Sequence, residues 1–131
     1  MTEKILIVED DKFLSELYQE LLTQEGFEVS VADNGETALE KMKAGGYDLT
    51  LLDIMLPKKD GLTILRELTD EEKKKCGQIV MLTNLGQDQI IKDGFSLGAV
   101  GYLIKSALTP DQVLHEARVF LGKTPSKSNM V

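Results

Sequence analysis

Polar side chains close four short apolar runs of this 131-residue chain: Asp10-Asp11 after Ile5-Leu6-Ile7-Val8, Asp53 after Leu49-Thr50-Leu51-Leu52, Thr83 after Ile79-Val80-Met81-Leu82, and Lys105 after Val100-Gly101-Tyr102-Leu103-Ile104. If the runs are neighbouring parallel strands, these groups converge, because the strands' carboxyl ends share one sheet edge and open α/β sheets bind ligands there. Clustered carboxylates repel one another, and a divalent cation relieves the repulsion. Mg²⁺ suits such a site, being octahedral, oxygen-ligated and commonly bound by one or two carboxylates together with phosphate oxygens. Asp10 or Asp11, Asp53 and the backbone carbonyl of Met55 are the expected protein ligands. A carboxylate beside that ion can attack a phosphoryl donor and form an acyl phosphate, which makes Asp53 the candidate nucleophile. Lys105 would neutralise the phosphoryl oxygens and Thr83 would donate a hydrogen bond to one of them.

The elements that must position these groups can be read from the alternation of apolar runs with helical periodicity. Phe13-Leu14, Leu17-Tyr18 and Leu21-Leu22 mark an amphipathic helix ended by Gly26, and Val29 with Val31 marks a second strand. Ala38, Leu39 and Met42 give a helix after the Asn34-Gly35 turn, and Leu62, Leu65 and Leu68 a short one after Asp60-Gly61. A weaker helix is expected around residues 87–95. A last helix begins at Pro110 with Thr109 as its cap and carries Val113, Leu114 and Ala117. The step between the third and fourth strands is the longest, so residues 69–77 read as an inserted loop, its run of mixed charge solvated. The strands are nearly all apolar, which requires helices on both faces of a parallel sheet. The expectation is a doubly wound, flavodoxin-like α/β fold with five strands in the order 2-1-3-4-5 and five helices.

Composition narrows the possible partners. The chain is 42% hydrophobic and 28% charged, as expected of one globular domain. A net charge of −7 disfavours direct binding to nucleic acid or anionic lipid. Cys76 is the single cysteine, so no internal disulfide is available, and no apolar run reaches membrane-spanning length. The start Met-Thr-Glu-Lys-Ile-Leu lacks the pattern of a signal peptide, and a cytoplasmic location is expected. His115 lies in the last helix, away from the strand ends, and reads as surface polar.

With these motifs in place, the chain resembles the receiver domains of two-component response regulators over residues 3–122. The matching positions are Asp10-Asp11, Asp53 within Leu51-Leu52-Asp53-Ile54-Met55-Leu56-Pro57, Asp60-Gly61, Thr83, the run from Gly98 to Leu103, and Lys105. The resemblance implies that a histidine kinase or phosphotransfer protein donates a phosphoryl group to Asp53. It also implies that Thr83 and Tyr102 act as switch residues, altering the surface formed by the fourth helix, the fifth strand and the last helix. That surface would dock a downstream protein or a second copy of the chain. The implied role is signalling rather than enzymatic turnover.

Several residues depart from the family pattern. Asn84 stands where a small residue usually follows the hydroxyl, and Ser106 where proline usually follows the lysine in a cis peptide. A cis bond before a non-proline costs about 3–4 kcal/mol, so a trans or strained Lys105-Ser106 bond is expected. Met55 and Leu85, which flank the site by the same match, are apolar and would position an attacking water poorly, which implies a long-lived phosphoryl group. Two other functions compete with this one. A phosphatase of the haloacid-dehalogenase type needs a second Asp two residues after the nucleophile, where Met55 stands. A receiver-like binding module that works without phosphorylation would not need the full set of acids and Lys105. Residues 123–131 read as a flexible polar tail, either completing a single-domain regulator or marking a cut from a longer one.

Overall fold

The computed structural model describes residues 2–84 and 87–122. Leu85 and the tail at 123–131, both considered above, lie outside these residues. Five strands, β1 (Lys4–Val8), β2 (Glu28–Ala32), β3 (Leu49–Asp53), β4 (Gln78–Thr83) and β5 (Gly101–Ile104), form one parallel sheet in the order β2-β1-β3-β4-β5. This is the expected order, with β1 and β3 adjacent at the reversal of winding.

Strand side chains alternate between the two faces of the sheet, and each face has its own core. Leu6, Val8, Leu52, Ile79 and Met81 pack with Ala38 and Met42 of α2 (Gly35–Ala44) and with Ile64 and Leu65 of α3 (Gly61–Glu67). Ile5, Ile7, Leu49, Leu51, Val80, Leu82 and Leu103 pack on the opposite face. Their partners are Tyr18 and Leu22 of α1 (Lys12–Gln24) and Val113 and Ala117 of a last helix, Pro110–Phe120. An ion pair between Arg118 and Glu25 ties that last helix to the end of α1.

Among the described residues there are six α-helices where five were expected. The additional one, α4 (Asp70–Lys74), lies in the segment read as a loop. Thr69 and Glu72 form a reciprocal capping box that satisfies its first N–H groups, with Glu72 Oε1 accepting from Thr69 N at 2.9 Å and Thr69 Oγ1 from Glu72 N at 3.1 Å. Its end leads to buried Cys76, and the Thr50 hydroxyl donates to the Cys76 carbonyl at 2.9 Å, fastening the segment to β3. The weaker helix is α5 (Asp88–Ser96), and the last helix is therefore α6. A 3₁₀ turn, Lys105–Ala107, joins β5 to α6.

Candidate phosphoacceptor site

The parity of the strands decides which side chains meet at the carboxyl edge. In β3, residues 49, 51 and 53 point to the face covered by α1 and α6, so Asp53 continues the row of Leu49 and Leu51. In β1 the same row is Ile5 and Ile7, and the residue that extends it is Glu9, not Asp10. The register Val8↔Leu52 sets Glu9 level with Asp53, and Glu9 N–H still donates to the Ala32 carbonyl at 3.0 Å. Lys105 follows Leu103 on the same face. Glu9, Asp53 and Lys105 therefore meet. Lys105 Nζ lies 2.8 Å from Asp53 Oδ2 and 3.0 and 3.1 Å from the two oxygens of Glu9. Asp53 Oδ1 accepts from the Met55 N–H at 2.9 Å. Glu9 is 0% and Asp53 1% exposed.

Two buried carboxyls share one ammonium here. Burial, then the hydrogen bond and charge of Asp53, push the Glu9 carboxyl up to about 8, with Lys105 only partly offsetting them. Burial works against a charged Lys105, but its hydrogen bonds to Asp53 and Glu9 outweigh that and hold it above the usual lysine value.

Carboxylate oxygens of Glu9, Asp10 and Asp53 all lie within 4.8 Å of one another. Three hard oxygen donors this close fit a small divalent cation. Asp11, expected beside Asp10 in that set, is not part of this group. It is the N-cap of α1, with its side chain accepting from Leu14 N at 3.1 Å. Glu9 takes its place. The sequence reading passed over Glu9, although its offset from Val8 equals that of Asp53 from Leu52, and that equality was the available signal.

Thr83 and Tyr102 lie on the other face of the sheet. Thr83 is buried at the end of β4, and its hydroxyl donates to the Asn84 carbonyl at 3.4 Å. Tyr102 pairs with Met81 across the sheet and is half-exposed. Asn84 and Ser106 are exposed. The Lys105–Ser106 peptide is trans, like every peptide bond among the described residues, and Lys105 reaches Asp53 without a proline after it. The loop after Asp53 is tightly folded. Lys59 N–H donates to the Pro57 carbonyl at 2.8 Å around Lys58, whose φ of 68° makes a γ-turn. Gly35 N–H also donates to Pro57, at 3.2 Å, docking the start of α2 on this loop. The Met55 side chain is exposed, and the position where a phosphatase of this chemistry would place its general acid thus holds a thioether. His115, expected at the surface, is partly buried on α6, with Nε2 shielded and without a hydrogen-bond partner.

Comparison with known proteins places this arrangement. The family model of the response regulator receiver domain matches residues 5–118. The chain belongs to that family. It is 36% identical over 105 residues to the chemotaxis protein CheY of Treponema pallidum (strain Nichols), covering 78% of this chain and 72% of that protein. It is 37% identical over 116 residues to the transcriptional regulatory protein DltR of Streptococcus agalactiae, and 32% identical over 125 residues to ResD of Bacillus subtilis (strain 168). These matches cover 88% and 95% of this chain but 50% of each relative, so the chain spans about half the length of those two regulators. Among solved structures, the chemotaxis response regulator CheY4 of Vibrio cholerae superposes with a TM-score of 0.81 at 25% identity, covering 92% of this chain and 99% of that one. A CheY-like receiver domain protein from Methanospirillum hungatei JF-1 gives 0.81 at 26% identity, covering 94% and 96%. The receiver domain is a signalling domain of two-component systems rather than a classical enzyme, and its family implies a histidine kinase as phosphodonor and downstream partners. No helix among the described residues is long and apolar enough to cross a membrane.

Proposed function

We propose that this receiver domain accepts a phosphoryl group on Asp53 from a histidine kinase or phosphotransfer protein, in a reaction that needs Mg²⁺. The observation that carries the reading is the joint placement of Asp53 against Lys105 at 2.8 Å and within the carboxylate group of Glu9, Asp10 and Asp53. An Asp53 carboxylate oxygen forms the new bond to phosphorus, and the bond from phosphorus to the donor breaks with its electron pair leaving on the donor. Lys105 stays beside Asp53 and balances charge on the phosphoryl oxygens, while Met55 N–H fixes the other carboxylate oxygen. Glu9, Asp10 and Asp53, with the Met55 carbonyl, would hold the ion, which supplies further neutralisation of phosphoryl charge.

Thr83 would donate its hydroxyl to the new phosphoryl group. Tyr102 would then turn inward on the same sheet face, changing the surface of α5, β5 and α6, where Phe95, Val100 and Tyr102 are exposed. That surface would dock a downstream protein or a second copy of the chain. With the thioether of Met55 beside the site and no acid or amide at that position, the phosphoryl group should persist for minutes rather than seconds.

Intact mass after treatment with acetyl phosphate and Mg²⁺ tests the proposal. One added phosphoryl group is expected, absent in Asp53→Asn and absent without magnesium. Folded protein that gains no phosphoryl group, or gains it equally in Asp53→Asn, would overturn the assignment and favour a receiver-like module that binds without phosphorylation.

A further inference from the structure

Tyr102 does not stand alone in its outward position. Its ring meets that of Phe95 edge-on, with centroids 6.2 Å apart and planes at 84°. The two are 44% and 42% exposed, so each covers part of the other at the rim of the sheet. β5 is an edge strand, and among the described residues no further strand covers Tyr102.

The backbone holds Phe95 ready for this contact. Gly94 sits over β4 so closely that a Cβ there would lie 2.1 Å from Met81 Sδ, which lets α5 approach the sheet. Leu97 N–H donates to Asp93 and Gly94 carbonyls, both at 3.1 Å, and Ala99 N–H donates to Gly94 at 3.0 Å. Val100 N–H then enters the sheet by donating to Ile79 at 2.8 Å. The turn from α5 into β5 is thus fastened at both ends, and Phe95 presents its ring to Tyr102 with little left to order. An edge-to-face pair is favoured because the positive ring edge meets the negative face. An inward Tyr102 would leave this partner.

We propose that Phe95 holds Tyr102 in its outward resting position and so sets how readily this receiver domain switches. The proposal rests on the switch role of Tyr102 given above, and adds the residue that opposes the switch. Loss of the Phe95 ring lowers the outward-to-inward ratio of Tyr102 by about 2- to 12-fold, the range such ring pairs contribute.

The test reads the solvent access of Tyr102 by its nitration with tetranitromethane, located by fragment sequencing of peptides from the full chain. It compares wild type, Phe95→Leu and the ring-retaining Phe95→Tyr, each with and without phosphorylation by acetyl phosphate and Mg²⁺ as confirmed by intact mass. Wild type is expected to nitrate readily at rest and more slowly when phosphorylated. Phe95→Leu is expected to nitrate more slowly than wild type at rest, because Tyr102 has moved inward, and Phe95→Tyr is expected to match wild type. A purely packing role predicts the reverse, since removing a covering ring exposes Tyr102. If Tyr102 in Phe95→Leu nitrates at the wild-type rate or faster while phosphorylation still protects it, the role of Phe95 is overturned and the switch stands. If phosphorylation does not change Tyr102 nitration in any of the proteins, the switch reading fails and the proposal with it.

Discussion

Among the described residues Lys105 is the cation that pairs with the buried Glu9 and Asp53, and its replacement shows what the arrangement costs. In Lys105→Met, Glu9 and Asp53 lose their shared partner, and nothing then offsets the burial and the Asp53 charge that raise the proton affinity of Glu9. Glu9 already binds its proton more tightly in the folded protein, up to about 8, than a free carboxyl does. The native state therefore holds more protons than the unfolded one above the ordinary carboxyl value, and stability falls as pH rises through that window. Without Lys105, which holds the Glu9 value down, the fall continues to higher pH. Urea unfolding without divalent ions should show Lys105→Met destabilised by about 3–5 kcal/mol at pH 8.5 and by clearly less at pH 5.5. Equal losses at both pH values would mean that the ammonium does not balance these acids. Lys58 gives a prediction of opposite sign. Its φ of 68° is a left-handed conformation that an L side chain resists, and Lys58→Gly should stabilise the protein by about 0.5–1 kcal/mol in the same assay. At this scale the sequence displayed Asp53, Thr83 and Lys105 because each interrupts an apolar run. It displayed Glu9 less clearly, because an acid followed by two more acids looks like the start of a loop. The period of two along β1, carried one step past Val8, separates the inward Glu9 from Asp10, and Asp11 lies beyond the strand as the cap of α1.

Strands and their order were legible for a physical reason: runs apolar on both faces permit few arrangements other than a parallel sheet covered twice by helices. The helix α4 was harder to see, since its residues are charged all round and none is buried. Its signal was the Thr69-x-x-Glu72 capping box, which outweighs the absence of an apolar face once the segment is tied to β3 through Cys76. Cys76 reports on this element. Its Sγ lies 3.3 Å from the Met42 carbonyl and 3.4 Å from that of Glu72, and burial pushes its thiol up to about 11. The neutral thiol should therefore react slowly with Ellman's reagent at pH 8 in the folded protein. Thr69→Ala removes one half of the capping box, costing about 1 kcal/mol. It should speed that reaction several-fold by loosening α4, while phosphorylation of Asp53 at the opposite edge of the sheet stays unchanged. A Cys76 that reacts at the rate of the unfolded chain in the unaltered protein would show that α4 does not shield it.

Across the whole molecule, the site exists only when the sheet does. Glu9 and Asp10 follow β1, Asp53 ends β3 and Lys105 follows β5, so residues nearly a hundred positions apart are brought together by the strand order rather than by any local segment. In the unfolded chain these carboxyls are scattered and compete poorly for a divalent ion. A cation held by Glu9, Asp10 and Asp53 thus binds the native state alone and stabilises it by mass action. At free Mg²⁺ a hundred times its dissociation constant the gain is about 2.7 kcal/mol, and for a chain of this size the melting temperature should rise by roughly 5–10 °C. Calorimetry against NaCl of matched ionic strength separates this effect from screening of the overall charge of −7. Asp53→Asn removes one of the three donors while leaving the fold intact, and should lose most of the Mg²⁺-specific rise. An equal rise in both proteins would place the ion elsewhere on the acidic surface and separate metal binding from the proposed phosphoacceptor.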